Sequence, residues 1–323
     1  MIKLQKYEEK YKSVWNQTVV NSRNATFLFH RSYMDYHAER IQDASLLFFD
    51  DKGKCIALFP ASISPVRKDV VYSHHGLTYG GLLLTDKVKT TLLKDILRDM
   101  ASYYMGLGYK ELEYKPIPYI YNRKPTQEDL YWLFVAGAKL SARNLSTTID
   151  LCSPILFSEL RKRKIHKAQT LSLVVKSDNN ILPTYWSLLE CVLKERHDVN
   201  PVHSLSEITY LATNFPDNIK LYTIHSERNE LLAGVLLYIT DRVVHAQYIA
   251  ASKEGREIGA LDLLFSDIIS EVRLSHKYFD FGISTEKSGQ ILNEGLVFQK
   301  EGFGGHGVCY DTYIVNLQNL VQI

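Results

Sequence analysis

The sequence predicts a mixed α/β (α+β) fold of two tandem domains, each with a mostly antiparallel mixed sheet flanked by helices. A length of 323 residues is enough for about two domains of ordinary size. Hydrophobic residues make up 46% of the chain and charged residues 23%, as in globular proteins, which excludes disordered and collagen-like classes. The order strand, turn, strand, strand, helix, strand occurs twice, which predicts two copies of one unit.

The first copy of this pattern lies in the first third of the chain. Apolar segments at 45–49 and 55–63 flank a polar turn that contains Asp and Gly, which predicts a hairpin, and 70–72 predicts a third strand. Apolar side chains recur at helical spacing over 89–105, and glycines follow. Residues 110–114 then predict another strand.

The second copy lies in the last third of the chain and repeats the same order. Strands are predicted at 221–224, 231–239 and 243–250, again with a polar turn between the first two. A glycine-containing turn precedes an apolar-periodic helix at 260–272, and a strand at 277–282 follows. The recurrence of helix and strand in the same order predicts a second αβ unit.

The segment between the two copies, 154–216, has a mostly helical pattern. It includes predicted helices at 182–195 and 205–213, the second with a serine start signal. We place the domain boundary near residue 150, which gives an N-terminal domain at 1–150 and a C-terminal domain at 151–323. The second domain is expected to hold the donor site.

Charge is nearly balanced along the chain but is concentrated in one segment. Lys and Arg number 38 and Asp and Glu 36, and a net charge of +2 is too small to indicate a nucleic-acid-binding face by itself. At 159–167, five of nine residues are Lys or Arg. This segment fits a solvated helix face, or contact with the phosphates of a substrate or of lipid head groups, so a peripheral membrane contact stays open.

Targeting signals and cysteine spacing indicate a cytoplasmic protein. The longest apolar stretches, such as 231–237, are far shorter than the roughly 20 residues that span a bilayer. The first ten residues alternate in charge and lack the apolar core of a secretory signal. The four cysteines form no C-x-x-C pair, which predicts free thiols in a reducing compartment.

Three segments resemble motifs of a known family. Residues 160–168 (LRKRKIHKA) are similar to the basic helix that opens the second domain of FemAB-like members of the GNAT acyltransferase superfamily. Residues 279–282 (FDFG) and 296–305 (LVFQKEGFGG) are similar to its "DFG" strand and its F-K-x-x-F-G ending, although Gln299 stands where the family has Phe. The resemblance covers nearly the whole chain and implies two tandem GNAT-like domains.

The resemblance also implies an activity. It is transfer of an acyl group from acyl-CoA, most simply acetyl-CoA, to the amine of a sugar, amino acid or cell-envelope precursor. A nucleotide-sugar or a lipid-linked precursor would serve as the small-molecule acceptor. Two alternatives stay open: a FemAB-type transferase that uses aminoacyl-tRNA, and a non-catalytic protein that binds a glycan or a nucleotide-sugar.

Two residues are candidates for the chemistry, which needs a neutral amine and a positive charge or N–H groups near the carbonyl oxygen. Lys300 matches the family lysine near the reacting centre, where its cation would stabilise the oxyanion. His245, on the strand at 243–250, stands where GNAT enzymes often carry a base, and its ordinary pKa near 6.5 suits proton removal. The alternatives are a surface lysine and a buried structural histidine.

The donor is expected to bind near a turn that resembles the family's R-x-x-G-x-G/A pyrophosphate loop. Arg256, Gly259 and Ala260 match that pattern, but Leu261 occupies the third glycine position, so a helix-entry turn without a ligand is the alternative. Tyr248 is expected to contact the donor if its strand is bulged or splayed, because strict alternation would turn it away from His245.

Acceptor contacts are expected from both domains. Arg196 takes the position of a family arginine, Gln247 shares a strand face with His245, and 73–81 has the composition of a ligand-facing loop. Exposed helix faces and a structural glycine corner are the alternatives. The residues predicted to bind the acceptor are Arg196, His203, Gln247, His75, Tyr79, His37, Arg40 and Lys115.

Two other site classes are excluded. Residues 302–307 satisfy G-x-G-x-x-G, but the pattern lacks the following helix and the acidic residue of a dinucleotide site. The eleven histidines include no H-E-x-x-H and no paired Cys/His spacing, so no metal is expected.

Overall fold

A computed structural model describes residues 2–63 and 66–323 and divides the chain into two compact units. The first unit comprises Met1–Leu145, Glu286–Ile291 and Cys309–Ile323, and the second comprises Ser146–Thr285 and Leu292–Val308. Helices and sheets are mixed in both units, as the sequence predicted.

The elements are numbered in chain order. The strands are β1 (Lys3–Lys6), β2 (Gln42–Asp43), β3 (Leu46–Phe49), β4 (Cys55–Phe59), β5 (Ser62–Ile63), β6 (Val70–Tyr72), β7 (Leu83–Leu84), β8 (Glu111–Tyr114), β9 (Lys139–Asp150), β10 (Val174–Ser177), β11 (Ile219–His225), β12 (Leu231–Ile239), β13 (Val243–Ala251), β14 (Tyr278–Ile283), β15 (Thr285–Glu286), β16 (Ile291–Leu292) and β17 (His306–Asn316). The α-helices are α1 (Lys12–Asn21), α2 (Arg31–Met34), α3 (Thr90–Gly106), α4 (Glu128–Val135), α5 (Glu159–Gln169), α6 (Leu182–His197), α7 (Leu205–Asn214), α8 (Lys253–Ile258), α9 (Ala260–Val272), α10 (Glu294–Glu301) and α11 (Leu317–Gln322).

The first unit packs the long helix α3 on its strands. One sheet has the antiparallel order β1-β3-β4-β7, and β8 pairs with β6 in parallel and with β17 in the antiparallel sense. The helix confirms the periodicity predicted over 89–105, because its apolar stripe recurs every three or four residues. The fully buried side chains of this stripe are Leu93, Ile96, Leu97, Met100, Ala101 and Tyr104.

The second unit is a sheet with helices on both faces. Its strand order is β10-β11-β12-β13-β14-β9, and only the β13–β14 pair is parallel within this order. Helices α5 and α9 cover one face, where Val235 joins the core. The neighbouring Gly234 points to the other face, where an added Cβ would lie 2.6 Å from the ring of Tyr185 in α6. A glycine at this position therefore lets α6 pack closely on β12.

Two irregularities of β13 shape the site. The β12–β13 register runs from Leu236–Tyr248 to Leu237–Ala246, so Gln247 is an extra residue in a β-bulge. The pairing of β13 with β14 ends at His245 and Asp280, although β13 continues to Ala251. The backbone edge of β13 beyond His245 is therefore left without a partner in β14.

The two units are not consecutive halves of the chain, which differs from the predicted division at 1–150 and 151–323. The end of β17 belongs to the first unit because Tyr313 pairs with Tyr114 of β8. Such long-range pairing leaves no periodic signal in the sequence. Among the helices of residues 2–63 and 66–323, none has the length and hydropathy that crossing a bilayer requires.

Candidate active site

A row of polar side chains crosses three strands of the second unit. The register places His245 of β13 beside Asp280 of β14, and Asp280 beside Thr148 of β9. His245 Nδ1 lies 2.8 Å from Asp280 Oδ2, while Asp280 Oδ1 accepts hydrogen bonds from Ser146 Oγ and, at 2.8 Å, from Thr148 Oγ1. Asp280 is fully buried, and the side chain of His245 is 14% exposed. The hydroxyls and the imidazole thus hold the carboxylate in one orientation.

This arrangement orients the imidazole of His245. A carboxylate accepts the Nδ1 proton and leaves Nε2 as the ring nitrogen with a lone pair. Within the described parts of the chain, Nε2 has no hydrogen-bond partner. The ring lies against Gly282, whose φ is +79° and where an added Cβ would be 3.2 Å from His245 Cε1. Only a glycine suits both this backbone conformation and this close approach.

Lys300 is buried beside the same turn. Its Nζ donates to the carbonyl oxygens of Gly282 (2.8 Å) and Ile283 (2.9 Å) and to Ser284 Oγ (2.9 Å). Burial lowers the pKa of Lys300 to about 8, an effect that the carboxylate of Asp280 opposes. All three N–H donors of the ammonium are used, so in this arrangement the cation fixes the turn at the end of β14.

Tyr248 lies next to the bulge and faces α6. A hydrogen bond of 2.6 Å joins its hydroxyl to His203 Nδ1, and its ring packs edge-on against Trp186 with the centroids 5.0 Å apart. Burial raises the pKa of the Tyr248 hydroxyl. The extra residue Gln247 shifts the alternation of β13, so that Tyr248 leaves the face occupied by Ala246 and the α9 core. This is the condition under which Tyr248 was expected to contact a ligand.

A basic cleft of about 350 Å³ lies near the end of β13. Arg161 forms a buried ion pair with Asp262, and Arg256 Nη1 donates to the carbonyl of Ala251 at 2.7 Å. The lining residues are Arg161, Lys164, Val192, Leu193, Arg196, Ile249, Ala250, Ala251, Arg256, Leu261, Asp262, Leu296 and Gln299. The cleft therefore collects cations from α5, α6 and α8.

The turn predicted to bind pyrophosphate joins two helices. Gly259, at φ +80°, ends α8, and its N–H donates to the carbonyl of Gly255. An added Cβ at Gly259 would lie 2.7 Å from the carbonyl oxygen of Lys164, so α5 packs directly on the turn. Ala260 begins α9 and is buried. The glycine is required here by its backbone angle and by helix packing.

The predicted acceptor contacts of the 73–81 loop lie in the first unit. Tyr79 is buried, its hydroxyl is 3.2 Å from Thr26 Oγ1, and its ring lies 4.6 Å from that of Tyr121. Burial, with a smaller effect of Lys115, lowers the pKa of His75. These contacts pack the loop against its own unit.

The other predicted contacts of the first unit are Lys115, Arg40 and His37. The backbone of Lys115 donates to Ser73 Oγ at 2.7 Å and accepts from Gly80 at 2.8 Å, which closes the 73–81 loop. The guanidinium of Arg40 lies 6.0 Å from the ring of Tyr36. His37 ends a short 3₁₀ helix, and its side chain lies outside the described residues.

The structure brings the predicted residues of the second unit into three groups. His245 and Lys300 meet around Asp280, Tyr248 contacts His203, and Arg196 and Arg256 line one cleft. Sequence reasoning gave no role to Asp280, Lys164 or Trp186. The "DFG" motif contained Asp280, and the basic segment contained Lys164, but neither pattern indicated which side chain each would contact.

No group of three or more His, Cys, Asp or Glu side chains in the described residues is arranged to hold a metal ion. Comparisons with known proteins bear on the fold. Residues 159–287 match the family model described as "Acetyltransferase (GNAT) domain". A search of curated protein sequences gives no match.

Solved structures match over nearly the whole chain. FemX is similar with a TM-score of 0.71 and 12% identity over 99% of both chains. L-PGS from Bacillus licheniformis has a TM-score of 0.61 and 11% identity over 98% of this chain and 97% of its own. A tandem GNAT protein from the clavulanic acid biosynthesis pathway has a TM-score of 0.54 and 8% identity over 98% and 99%. These matches confirm the predicted fold.

Proposed function

Since this chain is, by its domain match and its fold, a FemAB-like member of the GNAT superfamily, we propose that it is an N-acyltransferase. The donor in this proposal is an acyl-CoA, most simply acetyl-CoA. The acceptor is an amine of a sugar, an amino acid or a cell-envelope precursor. The observation that carries the proposal is the His245–Asp280 pair at the point where β13 and β14 stop pairing.

His245 serves as the general base. An amine attacks a thioester only when its nitrogen lone pair is free, so a proton must leave the acceptor. The Nε2 lone pair of His245 accepts that proton while Asp280 stabilises the imidazolium through Nδ1. Because Asp280 is fully buried and holds three partners, the imidazole needs no reorganisation during the step.

The transfer itself balances without a covalent enzyme intermediate. The amine nitrogen forms a bond to the thioester carbonyl carbon, and one N–H proton passes to His245 Nε2. Breaking of the C–S bond then releases the thiolate, which takes up the proton from His245. The products are an amide and a free thiol, and His245 returns to its neutral state.

Backbone groups of β13 are suited to hold the carbonyl oxygen. The edge of β13 from Ala246 to Ala251 has no ladder partner in β14, so N–H groups on this edge are available to an extended ligand. An N–H aimed at the developing oxyanion stabilises it in a partly dry site. The basic cleft beside Ile249–Ala251 suits the phosphates of the same donor.

An aminoacyl-tRNA donor is the second candidate. It is favoured by the likeness of the whole chain to FemX and to L-PGS, which has a higher TM-score than the likeness to the tandem GNAT protein. The base and the acceptor amine would keep their roles, because an ester carbonyl reacts with an amine in the same way. A comparison of acyl-CoA with aminoacyl-tRNA as donors separates the two.

The experiment measures thiol release from a panel of acyl-CoAs in the presence of amino sugars, nucleotide amino sugars and amino acids. We expect turnover with at least one pair and a fall in kcat of about 10²- to 10⁴-fold in His245→Gln. His166→Gln is the matched control, because His166 is exposed on α5. Turnover that is unchanged in His245→Gln would contradict the proposed base, and an inert chain that still binds the acceptor would favour a binding protein.

A further inference from the structure

Two of the four cations in the basic cleft have no visible partner. Lys164 of α5 and Arg196 of α6 line the cleft, and no residue in 2–63 or 66–323 forms an ion pair or side-chain hydrogen bond with either. Lys164 is half-buried, whereas Arg196 is exposed. Two unpaired cations from different helices at one concave surface indicate an anionic ligand.

The other two cations of the cleft are already used within the protein. Arg161 is neutralised by Asp262, which ties α5 to α9, and Arg256 is held by the carbonyl of Ala251. The lining thus contains four cations and one carboxylate, a formal excess of three positive charges (4 − 1). A ligand with at least two negative charges is needed to balance Lys164 and Arg196.

The neighbouring glycine turn is poorly placed to take over this task. The N–H of Gly259 donates to Gly255, and that of Arg256 donates to Ser252, so both are used within α8. The carbonyl of Lys164 covers Gly259 on its Cα side. The side chains of the cleft are therefore the accessible donors near this turn.

We propose that Lys164 and Arg196 form a binding site for a diphosphate group. A guanidinium and an ammonium on opposite helices bind two phosphoryl groups with charge-assisted hydrogen bonds. The apolar part of the lining, which includes Val192, Ile249 and Leu296, suits the organic part of such a ligand. Under the proposed function, on which this assignment rests, the diphosphate belongs either to coenzyme A or to a nucleotide-sugar acceptor.

The test is calorimetric binding of coenzyme A and of a uridine diphosphate sugar to the full chain and to Lys164→Gln and Arg196→Gln. We expect each substitution to weaken binding of one of the two ligands by about tenfold or more, because a charged hydrogen bond is lost. Lys162→Gln and Arg163→Gln are the matched controls. Both remove the same charge from exposed positions of α5, and neither residue lines the cleft.

The pattern of losses identifies the source of the diphosphate. A loss for coenzyme A alone assigns the cleft to the donor, and a loss for the sugar nucleotide alone assigns it to the acceptor. Equal binding by all four variants, or an equal loss in the controls, would overturn the site. If His245-dependent thiol release continued in Lys164→Gln and Arg196→Gln with unchanged KM, the diphosphate site would fail while the proposed function stood.

Discussion

The ammonium of Lys300 is enclosed by groups from three consecutive residues at the end of β14. Replacement by methionine would leave the carbonyls of Gly282 and Ile283 and the hydroxyl of Ser284 without their shared donor. We expect Lys300→Met to lower the free energy of unfolding at pH 7 by about 1 to 3 kcal/mol, as for other buried polar groups that lose a partner. Urea denaturation measures this, with the exposed Lys162→Met as control. Equal stability of both variants would contradict the clamp.

The stability contribution of Lys300 depends on pH in a defined window. Burial lowers its folded-state pKa to about 8 from the ordinary 10.5, so between these values the unfolded chain binds more protons. Stability of the unaltered chain relative to Lys300→Met should therefore rise between pH 8 and 10.5, by up to about 3 kcal/mol. Denaturation series of both chains across this range measure the difference. A flat or falling difference would show that burial does not disfavour the ammonium.

Individual site residues were predictable by type more than by partner. His245 and Lys300 were identified through the family resemblance and the strand pattern. Their shared neighbour Asp280 is 35 residues from His245 along the chain, and only the parallel register of β13 and β14 brings the two together. A sequence pattern contains no information on such a register unless both strands and their order are known.

At the scale of elements, the packing of α6 on β12 depends on one missing side chain. An added Cβ at Gly234 would lie 2.6 and 2.7 Å from atoms of the buried Tyr185 ring. We expect Gly234→Ala to lower the free energy of unfolding by about 1 to 3 kcal/mol through overpacking. Thermal and urea denaturation measure the change.

Gly106 provides the matched control for this substitution. It ends α3, and an added Cβ there would have no atom within 4 Å. Gly106→Ala is expected to be neutral or to stabilise by about 0.5 to 1 kcal/mol, because alanine favours the helix. Similar losses in both variants would mean that backbone entropy, and not contact with Tyr185, governs the effect at Gly234.

Elements with a strong period were predictable, and irregular ones were not. The helix expected at 260–272 is α9, because its apolar stripe faces a sheet. The strand expected at 243–250 is β13, yet the bulge at Gln247 could be raised only as a condition on Tyr248. Bulges arise from pairing with a neighbouring strand, and pairing leaves little trace in one segment.

At the scale of the whole molecule, the repeated order of elements predicted a tandem α/β protein. The chain path departs from two consecutive halves, because the end of β17 pairs with β8 and joins the first unit. The charge of +2 overall likewise concealed the excess of three positive charges in the basic cleft. Composition averages over the surface, so a local site emerges only when helices distant in sequence come together.

The central claim is that His245 and Asp280 act as one catalytic unit. The most direct measurement is the kcat for thiol release in His245→Gln, in Asp280→Asn and in the double variant. The account predicts falls of about 100-fold or more in both single variants, and no further fall in the double variant, because residues that act together are not additive. Unchanged kcat in Asp280→Asn, or losses that multiply in the double variant, would contradict it.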